Sequence, residues 1–126
     1  MRLLIDTHLL LWALEDSPRL GPEARNHLSG PETRPVFSVV SIWEIAIKAS
    51  SGKLRADAAI VRAALLKDGF EELPILGIHA EAVTNLPRLH ADPFDRMLIA
   101  QAMTEPMRLL TVDAKLKPYS ELVAMV

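Results

Sequence analysis

The chain has 126 residues, half of them apolar, with 14 Lys and Arg against 16 Asp and Glu and no cysteine. That length fits one domain spanning residues 1–126, and the missing thiols exclude disulfides, thiolate nucleophiles and zinc–thiolate sites. A net charge of −2 weighs against a simple polyanion-binding module, which is usually basic, but less against a site whose acids are offset by bound cations.

Residues 2–5, Arg-Leu-Leu-Ile, read as a short buried strand ending at Asp6. His8 to Leu14 is apolar on most sides and predicts a helix, with Thr7 as its N-cap. Asp16-Ser-Pro-Arg-Leu-Gly-Pro carries turn signals, and Pro22 suits the first turn of a second helix ending near Gly30. Pro35 to Val40 reads as a second strand. Ser41 is placed to cap a third helix running to Ser50, stopped by Ser51-Gly52. Asp57 caps a fourth helix ending at Gly69; its mixed apolar spacing suits either a cover for the sheet or a partner surface. Phe70 to Ile75 is a third strand whose pairing Pro74 limits. Ile78 to Leu86 and Phe94 to Thr104 are helices, the first halted by Pro87, the second opened by Asp92-Pro93 and stopped before Pro106. Arg108 to Val112 is a strand ending at Asp113, and Leu122 to Met125 a last edge strand. Apolar strands alternating with helices predict an α/β fold: a three-layer α/β/α sandwich around a mostly parallel sheet.

The chain's longest charge-free stretches are too short to span a membrane. Asp6 and His8 interrupt the apolar run that a secretory signal needs. With no cysteine, the expected location is a reducing cytoplasm. A mean hydropathy of +0.19 on so short a chain is expected to end in a homodimer interface or a tightly bound partner.

The chemistry rests on carboxylates. In open parallel sheets, functional groups gather beyond the carboxyl ends of the strands, where Asp6 and Asp113 sit. Each is equally readable as a helix N-cap after a βα turn. Glu44 lies in Ser41-Ile-Trp-Glu-Ile-Ala-Ile-Lys48, where Ser41, Glu44, Lys48 and Ser51 form a narrow polar stripe. It is either an exposed pair with Lys48 at i, i+4 or part of a cleft on a buried helix. In Asp92-Pro93-Phe94-Asp95 the two acids fit N-cap and N3, which helix-dipole chemistry explains without any function. Jointly the pattern says more: Asp6, Glu44, Asp95 and Asp113 come from separate segments, each at the rim of a strand or buried helix. If they converge, they repel one another unless a cation joins them, and oxygen donors suit Mg²⁺ or Mn²⁺. No pair among His8, His27, His79 and His90 has metal-ligand spacing; His27 reads as surface, while His8 and His90 lie nearer the acids. Trp12 and Trp43 sit in apolar helical runs that favour core or dimer packing over base stacking.

Leu-Ile-Asp6-Thr, Ser-Ile-Trp-Glu44-Ile-Ala-Ile-Lys, His90-Ala-Asp-Pro-Phe-Asp95-Arg-Met-Leu-Ile-Ala-Gln-Ala and Leu-Thr-Val-Asp113 together resemble PIN domains, and among them the VapC-like toxins of bacterial toxin–antitoxin pairs. The resemblance spans the first strand to the last, and His-x-Asp-Pro-Phe-Asp-Arg is its most specific part. It implies a metal-dependent ribonuclease that hydrolyses RNA phosphodiesters, with Asp6, Glu44, Asp95 and Asp113 at the family's acidic positions, Mg²⁺ or Mn²⁺ as cofactor, and a protein antitoxin as partner. It also implies a hydroxyl role for Thr111. Asp92 is read as the helix cap in preference to an acid supporting the metal ligands. Ser41, Lys48, Thr111 and Arg96 are candidate contacts to phosphate or to the acids. The competing readings are a non-catalytic PIN-fold module that binds RNA or protein, a DNA rather than RNA substrate, and a phosphoacceptor domain, for which Asp6-Thr-His8 lacks the second acid of Asp-x-Asp.

Overall fold

A computed structural model describes residues 1–126. Five strands, β1 (Arg2–Ile5), β2 (Arg34–Ser38), β3 (Glu71–Leu73), β4 (Arg108–Thr111) and β5 (Val123–Met125), form one sheet in the order β3-β2-β1-β4-β5. Every neighbouring pair is parallel, so the sheet expected to be mostly parallel is wholly so. Side chains alternate across it as the strand period requires. Leu4, Val36, Leu109 and Val123 face one core, and Leu3, Ile5, Phe37 and Leu110 the other. Both faces are buried, which is why the strands read as continuous apolar runs rather than alternating ones.

Six helices cover those faces: α1 (Thr7–Leu14), α2 (Pro22–Ser29), α3 (Val39–Ser50), α4 (Ala58–Lys67), α5 (Gly77–Val83) and α6 (Pro93–Thr104). Leu9, Leu10, Ala24, Ile45, Val61 and Leu65 pack in one core, and Leu98, Ile99, Ala100 and Ala102 of α6 in the other. The segment after Asp57 therefore covers the sheet through Val61 and Leu65, while its Ile60 stays 69% exposed. None of the helices is long and apolar enough to cross a membrane.

Several boundaries differ from expectation, each for a local reason. Asp6, not Thr7, caps α1: its carboxylate accepts from the Leu9 N–H at 3.0 Å. Ser38, not Ser41, caps α3 by accepting from the Val40 N–H at 3.0 Å. Val39 and Val40 favour a strand by their branching, but burial of Val40 in the α6 core and the Ser38 hydroxyl override that preference. Strand β3 ends at Leu73 because Pro74 cannot extend the ladder. Helix α5 ends at Val83, before the predicted Leu86. A 3-10 helix at Ala114–Tyr119, for which the sequence carries no periodic signal, contains Pro118 and packs beside β5.

The topology fixes where function can sit. The chain steps outward from β1 through β2 to β3, then returns to the other side of β1 to form β4. Strand order thus reverses between β1 and β4, and the crevice beyond their carboxyl ends is where such sheets hold ligands.

Candidate metal centre

Asp6 is the first residue past β1 and still donates its N–H to the Leu110 carbonyl at 3.1 Å. Its side chain is buried at the crevice. The Thr111 hydroxyl donates to its Oδ2, and the Leu9 N–H to its Oδ1. Burial pushes the Asp6 carboxyl above its ordinary value, with these donors opposing the shift. Thr111 closes β4, and its oxygen also accepts from the Asp113 N–H at 3.0 Å. One hydroxyl therefore ties the acid after β1 to the backbone of the acid after β4. Asp113 is half-buried and caps the 3-10 helix through the Lys115 N–H at 3.0 Å.

Glu44 projects from the second turn of α3. It is only 4% exposed, so it belongs to the cleft and not to a solvated surface pair. Its Oε2 accepts from Lys48 Nζ at 2.5 Å, and the Lys48 ammonium is pushed above its ordinary value by that bond and by the charges of Asp92 and Asp95. Asp95 stands in the first turn of α6. Asp92 caps that helix, accepting from the N–H groups of Phe94 and Asp95 at 2.8 and 3.1 Å, as its spacing predicts. Burial raises the Asp95 carboxyl to about 6; the His90 hydrogen bond opposes this, and the charges of Asp92 and Glu44 add to it. A carboxylate so shifted among neighbouring acids marks a site that a cation would relieve.

The structure brings Asp95, Asp113 and His90 closest together. One donor atom from each lies within 4.8 Å of the others. His90 Nε2 is 2.9 Å from Asp95 Oδ2. Asp6 and Glu44 stand outside this tight set. Asp6 connects to it through Thr111, and Glu44 through its charge on Asp95. The oxygen-rich donor set and the crowding of carboxylates fit a hard divalent cation. His90 is the site residue that spacing alone does not reveal. It stands five positions before Asp95, and the Asp92-Pro93 turn between them folds it back over the helix start.

The auxiliary candidates divide. The Arg96 guanidinium donates to the carbonyls of Pro87, His90 and Val83 and to the Tyr119 hydroxyl, so it secures the loop before α6 instead of standing free for phosphate. An open cavity of about 520 Å³ lies over that loop, lined by Arg88, Leu89, His90, Ala91 and Arg96. Ser41 is buried and accepts from the Thr7 hydroxyl at 2.8 Å, which links α1 to α3. Trp43 is 53% exposed, which rules out a core role in the single chain, and it meets Phe94 edge-on at 5.1 Å between centroids. Trp12 does pack against a core. His27 is half-buried.

The family model for the PIN domain matches residues 3–122. Among solved structures, the chain is similar to one chain of the Rickettsia felis VapBC2 complex bound to a promoter DNA fragment. The two share 14% identity and a TM-score of 0.71, over 100% of this chain and 98% of that one. It is likewise similar to a chain of a toxin–antitoxin complex from Klebsiella pneumoniae, at 21% identity and a TM-score of 0.68 over 97% and 95%. A chain of VapBC-1 from nontypeable Haemophilus influenzae gives 19% identity and a TM-score of 0.62 over 94% and 92%. No curated protein sequence matches it.

Proposed function

Given that this chain belongs to the PIN domain family, we propose that it is a metal-dependent endoribonuclease and the toxin of a VapC-type toxin–antitoxin pair, acting in the cytoplasm. The observation that carries this reading is the convergence of Asp95, Asp113 and His90 donors within 4.8 Å at the β1/β4 crevice that Asp6 also borders. The likeness to chains of solved toxin–antitoxin complexes supports the same fold and motivates the antitoxin partner.

In this proposal Asp6, Glu44, Asp95 and Asp113 are the catalytic acids and hold Mg²⁺ or Mn²⁺. A cation held by these acids would lower the pKa of water and offset charge that builds on the phosphate and its leaving oxygen. The side chains do the positioning. Thr111 and the Leu9 N–H fix both oxygens of Asp6, so that carboxylate enters the reaction already oriented. Glu44 commits Oε2 to Lys48, which leaves Oε1 to orient the attacking water and receive its proton. Lys48 holds positive charge among the acids as the phosphodiester approaches. Water adds to phosphorus, the bond to the departing ribose oxygen breaks, and that oxygen takes up a proton. RNA is distinguished from DNA by contacts to the 2′-hydroxyl and by bases splayed from single-stranded segments. The antitoxin fits the acidic crevice by placing a basic side chain among the carboxylates. The exposed apolar residues, Trp43 and Ile60 among them, supply a homodimer interface.

The test is cleavage of a mixed RNA pool by purified protein in Mg²⁺, Mn²⁺ or EDTA, with Asp95→Asn in parallel. Cleavage that needs metal and disappears in the variant supports the nuclease. RNA binding without cleavage by folded protein in either metal sinks it in favour of the non-catalytic module.

A further inference from the structure

His90 has no place among the acids assigned above, yet the structure builds it into their midst. The loop that carries it is fixed from outside: the His90 carbonyl accepts from Arg96 Nη1 and from the Tyr119 hydroxyl, both at 3.4 Å, and Arg96 binds the Pro87 carbonyl of the same loop at 2.9 Å. These bonds use the guanidinium and phenol of buried or half-buried residues to hold backbone, and their effect is to aim one imidazole at the crevice. Its Nε2 lies 2.9 Å from Asp95 Oδ2, and one donor atom each of His90, Asp95 and Asp113 lies within 4.8 Å of the others. The other ring nitrogen, Nδ1, has no protein partner.

That spacing is open to two uses. Nε2 can carry a proton and merely orient Asp95. Alternatively, the proton can sit on the free Nδ1, leaving the Nε2 lone pair, which faces Asp95 Oδ2, free to turn toward a cation that the carboxylates share. Cis ligands around an octahedral ion with bonds of about 2.1 Å stand about 3 Å apart, the separation that these two atoms already have. Three donors from three segments, the α5–α6 loop, the first turn of α6 and the end of β4, then border one shared position.

We propose that His90 Nε2 joins the carboxylates as a metal ligand beside Asp95 and Asp113, so that the centre is a mixed nitrogen–oxygen site that favours Mn²⁺ and other divalent transition ions over Mg²⁺. This inference rests on the metal-centre reading above and deepens it. Mg²⁺ is held by oxygen donors, whereas imidazole adds affinity for first-row transition ions, least for Mn²⁺ and more for Co²⁺. The consequence is an ion preference set by one loop residue.

The experiment uses the full chain, titrated with Mg²⁺, Mn²⁺ and Co²⁺ by calorimetry, together with pulsed electron paramagnetic resonance of the Mn²⁺ form. Wild type is expected to show nitrogen coupling to the bound Mn²⁺. His90→Gln removes that coupling and lowers Mn²⁺ and Co²⁺ affinity by about tenfold or more, with a much smaller change for Mg²⁺. His8→Gln, at the exposed histidine whose charge reaches Asp6, leaves the coupling in place. Circular dichroism confirms that both variants fold. Mn²⁺ bound without nitrogen coupling, or coupling that survives in His90→Gln, overturns the proposal while the metal-dependent nuclease stands. No binding of any of the three ions by wild type overturns both.

Discussion

At the scale of single residues, Asp95 links chemistry to stability. Its carboxyl is raised to about 6 from an ordinary 3.8, so the folded, metal-free protein holds this proton more tightly than the unfolded chain does. The associated stability is fully present below about pH 4 and is lost as pH rises through about 6. Asp95→Asn removes the burdened charge. In EDTA at pH 7.5 the variant is expected to be more stable than wild type by about 1–3 kcal/mol, with a flatter stability profile between pH 4 and 6. Urea melts across that range measure it; a variant less stable at pH 7.5 would show that the crevice does not strain this carboxylate. Thr111→Val has the opposite sign. It strips a donor from buried Asp6 and an acceptor from the Asp113 N–H, and should cost about 1–3 kcal/mol. Thr111→Ser should recover most of that loss in the same melts. Asp6 and Asp113 are legible in the sequence as acids that follow apolar strands. The hydroxyl joining them is not derivable from spacing, because Asp6 and Thr111 are 105 positions apart and meet only through the pairing of β1 with β4.

At the scale of elements, the two helices that bear Glu44 and Asp95 are joined by a buried hydrogen bond. Ser38, the cap of α3, donates to Gln101 Oε1 of α6 at 2.5 Å, and Gln101 donates in turn to the Pro74 carbonyl at 3.2 Å. Edge-on contact of Trp43 with Phe94 bridges the same pair near the crevice. Ser38→Ala loses both the cap and this bond, and should destabilise by about 2 kcal/mol. The expected loss of cleavage is greater than global unfolding explains, since the spacing of the two acids loosens as well. Activity unchanged at a temperature where the variant is fully folded would count against such coupling. Helix α3 is capped at Ser38 and not at Ser41, a start that is hard to read because a valine pair after a strand gives no local sign of turning. The start of α6 is legible because Asp92 and Pro93 specify it chemically, whatever the surroundings.

For the whole molecule, burial of both sheet faces leaves little apolar surface there to explain. The exposed apolar side chains lie instead on the helices and loops, Trp43, Ile47, Ile60, Leu76, Ile78 and Leu89 among them. Light scattering at micromolar concentration is expected to give twice the 13.9 kDa of one chain. A monomeric mass would return those residues to ordinary exposed surface or to the interface with the proposed antitoxin.

The sequence by itself determined the layered α/β architecture, the placing of acids at strand ends and helix starts, and the chemistry of the Asp92-Pro93 turn. These follow from periodicity and from local hydrogen bonding, which neighbouring residues fix. Tertiary structure alone decided that Glu44 is buried in a cleft, that Arg96 is spent on a loop, and that His90 meets Asp95 and Asp113. Those outcomes depend on which surfaces the parallel strand pairing brings together. Contacts between segments far apart in the chain leave no periodic trace in either one.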